Sequence, residues 1–144
     1  MTAFVLDASV TAAWLLPDAA SAHTPRLYAL IRRDEVEPQA PNLWQWECSN
    51  LISSGVHSGR IPAASIEGLW SVLEAIRHRV ELHDLAPAQH KAVMDVALDT
   101  GLPTFDAAYL WLARSLRLPL ATFDPQQIAA AQRSGVPLLD LSSL

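Results

Sequence analysis

Ala3-Phe4-Val5-Leu6-Asp7-Ala8-Ser9 is the stretch on which the fold turns. Four apolar residues in a row, too few for a helix and without alternation, read as a strand buried on both faces, as strands of parallel sheets are. A carboxylate follows at once. Ser9 to Leu16 then reads as a helix stopped near Pro17. Outward from this unit the same alternation repeats. Residues 19–33 read as a second helix, and Val36-Glu37 as a short strand before breaks at Pro38 and Pro41. Residues 42–57 form a helix with Asn42 as its cap. Pro62 opens a helix to about His78, and Val80 to Leu85 is a strand. Pro87 opens a helix to about Thr100, and residues 104–117 carry a strong helical pattern. Leu120 to Phe123 is a strand, Pro125 opens a helix, and Leu138 to Leu141 is a last strand. Strands separated by helices imply an α/β fold, a parallel sheet with helices on both faces. Chemistry in such folds gathers at the carboxyl ends of the strands.

Composition limits the classes open to the chain. Its 144 residues suit one domain spanning 1–144, and 51% hydrophobic content is enough for a core without metal or disulfide staples. Cys48 is the single cysteine, so no intramolecular disulfide forms, and it reads as a small buried apolar residue rather than a nucleophile. Neither a targeting segment nor a run of ~20 apolar residues is visible, so a cytoplasmic protein off the membrane is expected. The net charge of −5 argues against a protein that coats nucleic acid by bulk charge. It does not exclude a nuclease, because acids gathered in a metal site are partly neutralised when the ion binds.

Four acids stand where solvated acids do not. Asp7 follows Phe4-Val5-Leu6, and Asp124 follows Leu120-Ala121-Thr122-Phe123, so each sits at the carboxyl end of a strand. Glu47 lies four residues after Leu43 and four before Leu51, on the apolar stripe of its helix. Asp106 lies three before Tyr109, at the head of a stripe continued by Leu112, Ala113 and Leu116. Buried carboxylates are costly unless paired or bound to a metal. Lys91 and most arginines fall on polar stretches, which leaves a divalent cation as the counter-charge, and hard oxygen ligands suit Mg²⁺ or Mn²⁺. The competing reading makes Asp7, Asp106 and Asp124 helix caps. It accounts poorly for Glu47, which lies inside its helix. The remaining acids, among them Asp18, Asp34, Glu74 and Asp140, read as solvated.

The order of these tracts resembles a known family. Asp7-Ala8-Ser9, then Glu47 with Asn50, then Phe105-Asp106-Ala107-Ala108-Tyr109-Leu110-Trp111-Leu112-Ala113, then Leu120-Ala121-Thr122-Phe123-Asp124, are similar to the PIN domain, and the last two tracts resemble VapC toxins. The resemblance runs over essentially the whole chain. It implies a PIN-like three-layer sandwich with a central parallel sheet of four to five strands. It implies Mg²⁺- or Mn²⁺-dependent cleavage of RNA by an acidic quartet of Asp7, Glu47, Asp106 and Asp124, which would be both metal ligands and catalytic groups. Ser9, Thr122 and Asn50 would be accessory polar residues. A homodimer and a cognate antitoxin are the implied protein partners. The alternatives are an RNA-processing nuclease of this kind that is not a toxin, and a non-catalytic protein-binding module.

The chemistry is consistent with the acids themselves. Phosphodiester hydrolysis needs an activated water and a counter-charge for the transition state, both of which a carboxylate-held divalent ion provides. Metal-free histidine catalysis is disfavoured, since His23, His57, His78, His83 and His90 show no paired spacing. A dehalogenase-like phosphatase would want an aspartate where Ser9 stands, and a phospho-receiver would want a lysine after a late strand, whereas Lys91 sits in a helical stretch. Trp14, Trp44, Trp46, Trp70 and Trp111 suit packing or a protein interface better than base stacking.

Overall fold

The computed structural model describes residues 1–19 and 21–144, Pro17 through its backbone only. Ala20, inside the helix expected over 19–33, lies outside the described residues. The order is β1 (Thr2–Leu6), α1 (Ala8–Leu15), a 3₁₀ turn at Pro17–Ala19, α2 (Thr24–Arg32), β2 (Val36–Pro41) and α3 (Leu43–His57). A 3₁₀ turn at Ala63–Ser65, α4 (Ile66–Arg77), β3 (Glu81–His83), α5 (Pro87–Thr100) and α6 (Thr104–Leu116) follow. The chain closes with β4 (Leu120–Ala121), α7 (Pro125–Ser134) and a 3₁₀ turn at Leu141–Ser143.

The four strands form one parallel sheet in the order β3-β2-β1-β4. β1 is central, and Phe4, Val5 and Leu6 are all fully buried, which is why the run lacks alternation. Helices α1 to α4 pack on one another, as do α5 to α7, and α6 lies against β1, β2 and β4. The result is a helix–sheet–helix sandwich. The core joins Leu27, Ile31, Trp44 and Ile76 from the first helical group to Tyr109, Leu110 and Ala130 from the second. No helix among the described residues is long and apolar enough to cross a membrane.

Several expectations need correction. Pro38 and Pro41 do not end the second strand; they belong to it. The Asn42 N–H bonds the His83 carbonyl, so by the period of two the nitrogens of 38, 40 and 42 face β3. β3 pairing begins only at Gln39, so Pro38 gives up no bond, and Pro41 faces β1 beyond its last pair at Val5–Gln39. Asn42 does not cap α3 with its side chain; its Oδ1 accepts from Gln45 Nε2 at 2.6 Å. The strand expected at Leu138–Leu141 is a single bridge from Leu138 to Leu120. Asp140 ends it by accepting from the Ser142 N–H at 3.0 Å and closing the last 3₁₀ turn. The second helix starts late, at Thr24, whose hydroxyl closes a turn on the Ser21 carbonyl at 3.0 Å.

Parallel strands with intervening helices fix where the site forms. α1, α3 and α7 begin at the carboxyl edge of the sheet because each follows a strand. α6 precedes β4 and runs back to it, so its first turn lies at that same edge. Gly101, at φ 78°, supplies the left-handed residue that ends α5 and lets α6 start close by.

Candidate functional site

At that edge a pocket of about 250 Å³ is lined by Asp7, Ser9, Glu47, Asn50, Asp106 and Asp124, with Ala8 and Leu51. Asp7 comes from the end of β1, Glu47 from the second turn of α3, Asp106 from the first turn of α6, and Asp124 from the turn after β4. All four predicted acids, Ser9 and Asn50 are thus brought to one pocket. Thr122 stands behind it.

Asp7 is buried and lies at the centre of a hydroxyl network. Its Oδ2 accepts from Ser9 Oγ at 2.5 Å and from Thr122 Oγ1 at 2.9 Å. Both hydroxyl hydrogens are spent on Asp7, so the 3.3 Å between Ser9 Oγ and Thr122 Oγ1 is a contact, not a bond. Each hydroxyl also accepts a backbone N–H, from Phe123 to Ser9 at 2.9 Å and from Asp124 to Thr122 at 3.1 Å. These bonds pull residues 122–124 out of the sheet and explain why β4 stops at Ala121, two residues short of its expected end. Asp7 and Asp124 do cap their helices, accepting from the N–H groups of Ser9 and Gln126. Asp106 caps nothing: it is the third residue of α6. Capping and the pocket are not exclusive readings for the two strand-end aspartates.

Two partners went unseen in the sequence. Tyr109 is buried and donates its hydroxyl to Glu47 Oε1 at 2.5 Å. Gln127 is fully buried and its Nε2 lies 3.3 Å from Asp7 Oδ1. The signal for Gln127 was present, since Ala130 and Ala131 follow at three and four residues and mark the buried face of α7.

The electrostatics follow from this placement. Burial raises the pKa of Asp7 against the lowering effect of the Ser9 and Thr122 hydrogen bonds, with a further push from Asp124. Burial also raises that of Glu47, opposed by Tyr109 and reinforced by Asp7 and Asp106. Asp106 rises through burial and the charges of Asp7 and Asp124. No lysine or arginine lines the pocket, and among the described residues none forms an ion pair with these four acids. The donor set fits a hard divalent cation, being all oxygen and lacking a resident counter-charge. Among the described residues, however, no three acids, histidines or cysteines are grouped as a ready-made metal site. Each of Asp7, Glu47 and Asp124 has an oxygen turned to a neutral donor instead.

Other candidates fall away on geometry. Cys48 is buried and its thiol is pushed far up by desolvation, so it is no nucleophile. His83 bonds Gln39 at 2.8 Å and the other four histidines are exposed, none of them lining the pocket. The tryptophans divide. Trp44 is buried with Nε1 on Thr11, and Trp14 donates to the Thr24 carbonyl. Trp46 and Trp70 are exposed beside an apolar hollow between α3 and α4. Trp46 directly precedes Glu47, and the exposed Phe105 and Phe123 directly precede Asp106 and Asp124.

No protein-family model and no curated protein matches the sequence. Solved structures do. PAE2754 from Pyrobaculum aerophilum superposes with a TM-score of 0.66 at 26% identity, over 90% of this chain and 79% of that one. FitAcB from Neisseria gonorrhoeae superposes at 0.62 and 19% identity, over 98% of this chain and 99% of that one. The fold is PIN-like. In this PIN-like frame the four acids, from β1's end, α3, α6 and the turn after β4, meet at the carboxyl edge of the sheet.

Proposed function

We propose that the chain is a Mg²⁺- or Mn²⁺-dependent ribonuclease that hydrolyses RNA phosphodiester bonds, and the VapC-type toxin of a toxin–antitoxin pair. The observation that carries this reading is the convergence of four carboxylates, from four separate elements, on one pocket that holds no cationic side chain. A scaffold has no use for such an arrangement, because like charges brought together in a half-buried space repel.

Asp7 and Asp106 are the residues that would hold the ion, with Glu47 and Asp124 contributing at its edge. When bound, the divalent ion activates water and offsets charge on the phosphate. Ser9 and Thr122 fix the rotamer of Asp7 through Oδ2. Tyr109 fixes Glu47 through Oε1 and leaves Oε2 to accept a proton from the attacking water, a role that a carboxylate of raised pKa suits.

The test is cleavage by purified protein freed of any partner. RNA is expected to be cut in Mg²⁺ or Mn²⁺ and left intact in EDTA, and undiminished cutting in EDTA overturns the reading. For the toxin half, expression is expected to arrest growth, and co-expression of the small protein encoded beside it to relieve the arrest. Active protein whose expression leaves growth untouched would reduce the reading to an RNA-processing nuclease.

A further inference from the structure

We infer that Gln127 is a positioning residue of this site, its carboxamide holding the Asp7 carboxylate in place for the cation. The inference rests on the metal reading above. Gln127 sits on the buried face of α7, three residues after Asp124, and is fully inaccessible. Its Nε2 donates to Asp7 Oδ1 at 3.3 Å. The orientation of the amide is dictated by chemistry: turned round, its oxygen would face the Asp7 carboxylate.

The other end of the amide supports the assignment. Among the described residues Gln127 Oε1 is one of only two buried side-chain polar atoms with no hydrogen-bond partner. An apolar side chain would fill this helix position without that cost, as Ala130 and Ala131 do one turn later. An orphaned buried carbonyl calls for an explanation beyond packing. Here the N–H₂ end provides one. It is a neutral donor to Asp7, and it neither adds a competing charge nor occupies a cation's place, as a lysine or arginine would. Outer groups that orient metal ligands in this way typically tune affinity by about 10- to 100-fold.

The experiment is titration of the whole protein with Mn²⁺ alone, followed by calorimetry, beside thermal unfolding in EDTA and in Mn²⁺. Gln127→Met keeps the volume and removes both amide ends. It is expected to unfold cooperatively and to bind Mn²⁺ at least ~10-fold more weakly than the natural chain. Gln127→Glu keeps the shape and sets a second carboxylate against Asp7. It is expected to melt lower in EDTA and to recover more on adding Mn²⁺. Wild-type Mn²⁺ affinity in folded Gln127→Met overturns the inference while leaving the metal reading intact. Should Gln127→Met fail to fold, a Gln127→Glu protein whose melting matches the natural chain in both conditions overturns it instead. A natural chain that binds no Mn²⁺ removes the metal reading itself, and the inference with it.

Discussion

Acids on the outer surface and acids in the pocket carry the same charge and live under opposite rules. Asp18 is bonded by Arg60 at 2.6 and 2.8 Å, and Glu74 by Arg77 at 2.6 Å. In each case the guanidinium holds the carboxyl below its usual range. Asp7, Glu47 and Asp106 are pushed the other way, chiefly by burial. Their partners are hydroxyls, a phenol and an amide, which orient a carboxylate without cancelling its charge. A surface acid is therefore neutralised within the chain, whereas the pocket acids meet no cationic side chain. The difference lies in the choice of donor, not in the choice of acid.

The largest effect expected from this contrast is on rate. Asp7→Asn and Asp106→Asn should each lower RNA cleavage by at least ~100-fold, the usual loss when an electrostatic stabiliser of the transition state is removed. Single-turnover cleavage in Mg²⁺ measures it, and near-wild-type rates in both variants would take those residues out of the site. Next comes the response to metal. Mg²⁺ at about 100 times its dissociation constant should stabilise the natural protein by ~2.7 kcal/mol, since it binds only the folded form. Asp106→Asn should gain less, and equal gains in thermal unfolding would break the link between this acid and the ion.

A smaller effect follows from the sign of the shifts. A carboxyl whose pKa is raised on folding contributes stability in full below its unfolded value of about 4. That contribution is lost as pH rises through the folded value. In EDTA, Asp106→Asn should therefore match the natural protein near pH 4 and melt higher by pH 7.5. The gain should stay below ~1 kcal/mol, because solvent screens a half-exposed acid. A mutant that melts lower across the whole range would assign Asp106 a purely structural part. The least effect belongs to the outer pairs, whose lowered pKa gives the reverse limb: stability present above the unfolded value and lost as pH falls. Arg60→Ala should leave the melting temperature almost unmoved at neutral pH and cleavage unchanged, since this pair is solvent-exposed.

The sequence made the strand-end acids legible because a parallel strand buried on both faces leaves its first polar residue at the carboxyl edge. Asp7 and Asp124 announce themselves in that way. Glu47 and Asp106 were legible through helical period, which requires no knowledge of the tertiary contacts. What escaped depends on pairing between distant elements. Tyr109 read as core, which it is, yet only the meeting of α6 with α3 gives its hydroxyl to Glu47. The prolines of β2 read as breaks because whether a strand nitrogen needs a partner depends on where its neighbours start and stop. Leu138 to Leu141 has the composition of a strand, but one bridge is all that the Asp140 turn leaves room for.

That single bridge bears on how the open edge of the sheet is closed. β4 is two residues long and stands at the margin of the sheet. Its outward groups are already taken: the Leu120 N–H bonds the Pro137 carbonyl, and the Leu120 carbonyl accepts from the Leu139 N–H, both at 2.9 Å. An open margin is a template on which another chain can add a strand. Residues 137–139 thus act as a stopper, and Pro137, with no N–H of its own, makes a poor template in turn. A chain cut back before Pro137 would expose Leu120 beside the buried β1 and leave its N–H and carbonyl open to another chain, on the strand that leads into the pocket.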